Sequence, residues 1–458
     1  MGRLWRYNLH YFDDLAATDS NHRLPQQAAL IDRWILENPP ARGTGWEPYP
    51  TSLRIVNWCK WLLLHGVSSK SLLHSLAVQT RWLERRLEYH LLGNHLWANG
   101  KALVFAGAYF DGPEADRWLA VGLAILRREL EEQVLADGAH FERSSMYHAL
   151  FVEDLLDLSN LAAAFGDRIP ETDRQRWRAV LPSMIAWLRA VSHGDVLAHF
   201  NDVAQGIAPL PSTLTDYADR LAIDGQSPLP TAEKMLAGSG LVRLALGDAV
   251  VIADVAPLGP DYMPGHAHAD TLSFECEVRG HRLFVNEGTS TYEPNAERLL
   301  QRGTAAHNTV IVDDADSSEV WSSFRVARRA RIVASAISQQ DASITLVGAH
   351  DGYQRLPGRV LHRRTWRLGT RCLDVTDELQ GRFASAEARL LMAPGWMARL
   401  TDNQVSLEGP GGPVLLTFTG GSPTVEDAFY HPGFGSSERT QRIRATISGP
   451  RLVTRIEW

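Results

Sequence analysis

The sequence predicts a multidomain chain of separate α and β parts, a helical array over residues 1–228 followed by stacked antiparallel sheets over residues 229–458. Three observations carry that prediction. Apolar residues recur with helical spacing from about Pro25 to Val191, the period changes to two beyond about Pro228, and the later strands follow one another without intervening helices. That last feature favours sheets packed face to face over a doubly wound α/β fold. At 458 residues the chain exceeds the roughly 100–200 typical of one domain, so each part is long enough to bury its own core.

The helical stripes are explicit. Leu119, Leu123, Leu126 and Leu130 step by one turn, as do Phe151, Leu155, Leu158 and Ala162, and Trp177, Leu181, Met184, Leu188 and Val191 repeat the pattern. Breaks containing Gly, Pro and Asn, such as LLGNHL and YFDGPE, separate these segments and make helical hairpins of them. A linker is expected at Ala222 to Lys234, AIDGQSPLPTAEK. In FECEVRGHRLFV, Phe274, Cys276 and Val278 alternate with Glu275, Glu277 and Arg279, and after a turn at Gly280 the apolar face resumes at Leu283 and Val285. This is a β-hairpin pattern. LVRLALGDAVVIADV, HNTVIVDD, ITLVGAH, RTWRLGTRCLDVTDEL, GPVLLTFTG, RIRATIS and LVTRIEW read similarly.

Composition narrows the function. Lys plus Arg number 46 against 53 Asp plus Glu, a formal charge of −7, so nucleic acid is not an expected partner. An anionic ligand would be met by a local cluster of basic and amide groups. Cys59, Cys276 and Cys372 are far apart and odd in number, which argues for buried thiols rather than a disulfide framework. The start, MGRLWRYNLHYFDDLAA, lacks the apolar stretch of a secretory signal and reads like mid-protein sequence. No segment has the roughly 18 continuous apolar residues of a membrane span, so a soluble chain is expected.

Three clusters carry chemistry. GHAHADTLSF sets His266, His268 and Asp270 at alternate positions, a string that can hold a metal, move a proton or brace a strand. GNHLWANGKAL puts Asn94, His95, Trp97, Asn99 and Lys101 in a break between helices, where amide and imidazole donors suit a carboxylate and where Asn94 equally suits a helix cap. DGAHFERSSMYHALF opens an amphipathic helix with Tyr147 and His148, preceded by Glu142, Arg143 and Ser145; the tyrosine serves proton transfer or packing.

Taken in order, GWEPYPTSLRIVNW, GNHLWANGKAL, DGAHFERSSMYH, GHAHADTLSFECEVRGHRLFVNEGTSTY and RGTAAHNTVIVD resemble the heparinase II/III-like family of polysaccharide lyases, which includes related alginate lyases. The matching stretches run from Gly45 to Asp313. The resemblance implies an N-terminal incomplete α/α toroid followed by a C-terminal antiparallel β-sandwich. It also implies β-elimination on a uronic-acid polysaccharide, the acidic partner such an enzyme would take. Asn94 and His95 would then neutralise the C5 carboxylate, Tyr147 would protonate the leaving O4, and His266 would accept the C5 proton. Arg143 would lower the tyrosine if it also served as base. Trp97, Asn99, Arg143, His148 and Tyr292 are expected against the sugar, with Arg298 and Arg302, one helical turn apart in NAERLLQRGT, against its carboxylates or sulfates.

Where metal-containing relatives have His, Asp and His, this chain has His268, Asn286 and His307. Asn286 is a neutral and weaker ligand. One structural divalent ion, zinc, is therefore the cofactor expectation, with a hydrogen-bonded brace as its alternative; no organic cofactor is expected. Hydrolysis on the same scaffold would call for two carboxylates roughly 5–9.5 Å apart, and a non-catalytic polysaccharide-binding protein is the remaining alternative. The resemblance implies a periplasmic or secreted location, which the given start does not itself encode, so a cytoplasmic one stays open.

Overall fold

The computed structural model describes residues 2–66, 69–340 and 342–458. Its contacts divide the chain into two compact units, Met1–Gln133 with Asp154–Ala179, and Val134–Glu153 with Val180–Trp458. Residues 180–228, helical by their period at the start, cluster with the sheets.

The first unit holds α1 (Arg3–Asn8), α2 (Leu24–Glu37), α3 (Pro48–His65), α4 (Lys70–Glu84), α5 (Gly93–Tyr109) and α6 (Pro113–Gln133). Helices α7 (Ser145–Ala164) and α8 (Glu171–Ala190, with Pro182 inside it) carry residues of both units. This N-terminal array is that of an incomplete α/α toroid. Its tightest packing is α5 on α6, where glycine is required: a Cβ on Gly107 would lie 2.5 Å from the Leu119 nitrogen, and one on Gly122 would lie 2.7 Å from the Gly100 oxygen. Trp58, Trp97 and Trp118 are buried in the same unit.

The second unit continues with the ribbon β1 (Ser192–His193) and β2 (Val196–Leu197), then α9 (Pro211–Arg220) and α10 (Ala232–Ala237). A four-stranded sheet follows in chain order, β3 (Leu241–Leu246), β4 (Ala249–Asp254), β5 (Phe274–Val278) and β6 (His281–Phe284). The β5–β6 turn has both central residues left-handed, Arg279 at φ 53° and Gly280 at φ 75°, as the twist of a two-residue hairpin demands. After α11 (Ala296–Arg302) come β7 (Val310–Val312) and a short hairpin, β8 (Val320–Trp321) with β9 (Arg325–Val326).

The remaining strands are β10 (Ile332–Gln340), β11 (Ser343–His350), β12 (Leu361–Gly369), β13 (Cys372–Gln380), β14 (Ala386–Leu391), β15 (Met397–Thr401), β16 (Gln404–Glu408), β17 (Val414–Thr419), β18 (Gly421–Tyr430), β19 (Glu438–Ile447) and β20 (Arg451–Glu457). They form an eight-stranded sheet in the order β10-β11-β12-β13-β20-β17-β16-β15 and a four-stranded one in the order β18-β19-β14-β7. The pairings are antiparallel. Trp366, Phe274, Leu346 and Trp396 belong to their shared core.

Two expectations need correction here. Glu275, placed by strict alternation on the wet face of β5, is fully buried; it accepts the backbone N–H groups of His199 and Asn286 and pairs with Arg282. Cys59 and Cys276 are buried thiols, but Cys372 is only half-buried. The core also contains a polar knot. The His362 Nε2–H donates to Asp377 Oδ1 at 2.7 Å, Arg364 grips both oxygens of Asp377 at 2.7 and 3.0 Å, and His350 meets His362 at 3.2 Å.

Candidate active site

The Tyr147 and His266 of the sequence analysis come together in the second unit, with ring centroids 4.0 Å apart and planes tilted by 36°. Ser144 positions the tyrosine: its hydroxyl caps α7 by accepting the Tyr147 N–H at 3.2 Å and donates to the Asp202 carbonyl at 2.6 Å. The Tyr147 hydroxyl lies 3.1 Å from that of Tyr292, whose ring is 6.0 Å from His266. Tyr292 is half-buried.

His266 is held from behind by a residue the motifs did not single out. Its Nδ1–H donates to Asp202 Oδ2 at 2.9 Å, and the Asp202 backbone N–H donates to the His266 carbonyl at 3.0 Å. The other carboxylate oxygen accepts from His268 Nε2 at 2.8 Å, and Arg298 spans both oxygens, one bond at 2.7 Å. Burial alone would raise the Asp202 carboxyl; the Arg298 guanidinium and the two imidazoles outweigh it and hold it well below the usual range. An ionised Asp202 fixes the His266 tautomer and leaves Nε2 as the free acceptor. That nitrogen is 3.8 Å from Glu142 Oε2, and the His266 side chain keeps 16% of its surface exposed. Asn201, at φ 59°, ties the irregular segments together by accepting the His268 N–H and donating to the Arg143 carbonyl. His266 and His268 thus meet opposite oxygens of one carboxylate, which an irregular segment between β4 and β5 permits and an ideal strand would not.

Asp270, the acid of the same string, is no partner to these histidines. It accepts the Asn201 N–H at 3.0 Å, and burial lifts its carboxyl to about 7.

Several expected sugar contacts are structural instead. Arg298 and Arg302 do sit one turn apart on α11, but both are fully buried: Arg298 is engaged by Asp202 and by the Ser323 carbonyl, Arg302 by the carbonyls of Ala267, Ser322 and Arg325. Arg143 is buried with its guanidinium on the carbonyls of Ser239 and Phe141. His148 is fully buried between the His140 N–H and the Met184 carbonyl, and desolvation pushes it down to about 4. Amphipathic spacing cannot distinguish a ligand face from a core face, so these side chains were indistinguishable by pattern.

In the helical unit, GNHLWANGKAL is the start of α5 and no loop. The Gly and Asn that read as a break serve packing in a helix buried on nearly all sides. Asn94 follows the N-terminal Gly93 and is not the cap, which is Leu92. Asn94 and His95 are half-buried; the His95 ring lies 4.5 Å from that of Tyr49 and its Nδ1 3.1 Å from Glu88. Trp97 and Asn99 are buried, which corrects their assignment to the sugar: Trp97 donates to Asp154 at 3.0 Å, and Asn99 accepts the Glu88 N–H while donating to Ser52 and Glu88. Lys101 is held by Asp154 and Asp157.

The metal expectation has a mixed footing. His268 and His307 are buried with ring centroids 5.3 Å apart, and burial lowers His268 to about 4 and holds His307 well below its ordinary value, so both are neutral ligands in form. Among the described residues His268 Nδ1 and Asn286 Nδ2 make no hydrogen bond, while Asn286 Oδ1 accepts the Asn308 N–H. Orphaned buried nitrogens of this kind suit an ion or ordered water. Among the described residues, however, no group of three or more His, Cys, Asp or Glu side chains could hold a metal. Two imidazoles and an amide would be the whole donor set.

Comparison with known proteins bears on the fold and the family. A heparin-sulfate lyase from Bacteroides stercoris is 27% identical over 257 residues, 51% of this chain and 38% of that protein. A second, from Pedobacter heparinus, is 24% identical over 247 residues, 48% of this chain and 36% of that one. The chain therefore spans well under half the length of the curated relatives it matches. A crystal structure of heparinase III shares the fold with a TM-score of 0.75 at 19% identity, over 99% of this chain and 76% of that one. Among the described residues no helix is long and apolar enough to cross a membrane. Family models match at residues 18–218, heparinase II/III N-terminus, and at 228–458, heparinase II/III-like C-terminal, and with half the chain covered by the second alone, the chain belongs to the heparinase II/III-like family.

Proposed function

We propose that this protein is a polysaccharide lyase that cleaves a uronic-acid-containing acidic polysaccharide by β-elimination. The observation that carries the reading is the contact of Tyr147 with His266, whose Nδ1–H is tied to an ionised Asp202. In this reaction His266 Nε2 takes the C5 proton, the C5 electrons form the C4–C5 double bond, and the C4–O4 bond breaks as the Tyr147 hydroxyl protonates the leaving oxygen. Glu142 Oε2 lies 3.8 Å from Nε2, on the side where the proton arrives.

Hydrolysis is the weaker reading. It needs two available carboxylates, and Asp202 beside His266 is already engaged by Arg298 and two imidazoles. A divalent ion, where one binds, would be held by His268 Nδ1, His307 and Asn286 and would brace the segment carrying His266; the steps above do not pass through it. A periplasmic or secreted location belongs to the same proposal, because polymers of this class lie outside the cytoplasm.

The test is incubation with heparan sulfate, alginate and other uronate polymers while following the ultraviolet absorbance of the conjugated alkene. Growth of that absorbance with new reducing ends supports elimination. Reducing ends without it mean hydrolysis, and binding without either product leaves a polysaccharide-binding protein.

A further inference from the structure

The β8–β9 hairpin carries two exposed aromatic side chains within four residues, Trp321 at 54% and Phe324 at 40% of their surface. Single exposed apolar residues are ordinary. This pair is different because its backbone is anchored from beneath. Arg298 donates to the Ser323 carbonyl at 3.1 and 3.0 Å, Arg302 donates to Ser322 at 3.0 Å and Arg325 at 3.4 Å, and Ser322 is left-handed at φ 53°. The same Arg298 grips Asp202, so one side chain sets both the hairpin tip and the carboxylate behind His266.

Phe324 stands edge-on to His266, with centroids 5.7 Å apart at 79°, and to Tyr292, 5.2 Å apart at 72°. Gly265 lies beside the same ring, where a Cβ would meet the Phe324 Cβ at an ordinary contact distance of 3.9 Å. Arg325, next in sequence, is exposed on the hairpin.

The geometry points to a sugar-binding subsite on this hairpin, in which Phe324 stacks against the apolar face of a pyranose next to the residue being deprotonated and Arg325 meets that polymer's carboxylate or sulfate. The occupant is an acidic polysaccharide because the aromatic surface is continuous with the His266–Tyr147 pair and an exposed cation flanks it. A flat ring on a rigid backbone meets a sugar face with little ordering cost. This subsite rests on the polysaccharide reading above.

The test pairs turnover with equilibrium binding, using size-fractionated heparan sulfate and alginate oligosaccharides on the full chain. Phe324→Leu keeps apolar contact with Tyr292 and His266 but removes the ring; KM and Kd are expected to rise about tenfold with kcat within about twofold, and Phe324→Tyr to restore both. Arg325→Ala, a surface change, is expected to raise Kd at low salt and not at high salt. If the wild type binds without forming alkene, the lyase reading fails while the subsite is still decided by Kd. Equal Kd and KM in wild type and Phe324→Leu, with melting temperature preserved, overturn the subsite, as does absence of binding by the wild type to every oligosaccharide offered.

Discussion

Two knots of the sheet-bearing unit use the same chemistry, an aspartate gripped by an arginine and by histidine. In one, Asp202 holds Arg298, His266 and His268; in the other, Asp377 holds Arg364 and His362, with His350 behind. Both carboxyls are held low by their partners against the opposing effect of burial. The difference is access. The His266 side chain is 16% exposed and faces a tyrosine, whereas His362 is 0% exposed between strands of the large sheet. Residue type therefore does not separate the two knots; an opening beside a tyrosine does.

That contrast breaks most clearly at the imidazoles. His266→Ala is expected to slow alkene formation by about 10²–10⁴-fold with little change in melting temperature, and Tyr147→Phe to do likewise. Either variant at full activity would put the chemistry elsewhere. Asp377→Ala should act in the opposite currency, costing about 3–5 kcal/mol in denaturant unfolding because it leaves Arg364 and His362 buried without their partner, while the folded fraction keeps its kcat.

Acid stability extends the point to buried histidines generally. His148 sits near 4 in the folded protein because burial disfavours its charged form, against about 6.5 when unfolded. Between those values the unfolded chain binds the extra proton, so stability is full above about pH 6.5 and is lost as pH falls toward 4, by about 3 kcal/mol for this one group. Thermal melts from pH 7.5 to 4.5 should show the decline, and His148→Gln should flatten part of it.

Asp202→Asn sharpens the comparison from the other side. The amide cannot accept from both imidazoles and Arg298, so kcat is expected to drop about 10–100-fold, a magnitude usual for groups that orient a reacting residue, with KM nearly unchanged. Smaller still is the effect at the third ligand position. Asn286→Asp should lower stability without metal, by about 1–3 kcal/mol if the new carboxyl is protonated and by more if it stays ionised and uncompensated, and zinc should restore it. No zinc uptake by that variant would reject His268, residue 286 and His307 as a ligand set.

By itself the sequence determined the change from helical to strand period, the β5–β6 hairpin, and the candidates Tyr147 and His266, because periodicity and short-range motif spacing are local properties of the chain. Local signals misled where burial decides. Gly100 of GNHLWANG read as part of a break but permits the close packing of α5 on α6, and Glu275 broke the alternation because backbone N–H groups and Arg282 compensate it. Arg298, Arg302, Arg143 and His148 have the residue types of a binding surface, yet their partners are carbonyls and a carboxylate distant in sequence. Only the tertiary structure brought Asp202 behind His266 across 64 residues of separation, since a buried charge finds its partners through space, and no spacing rule along the chain records that distance.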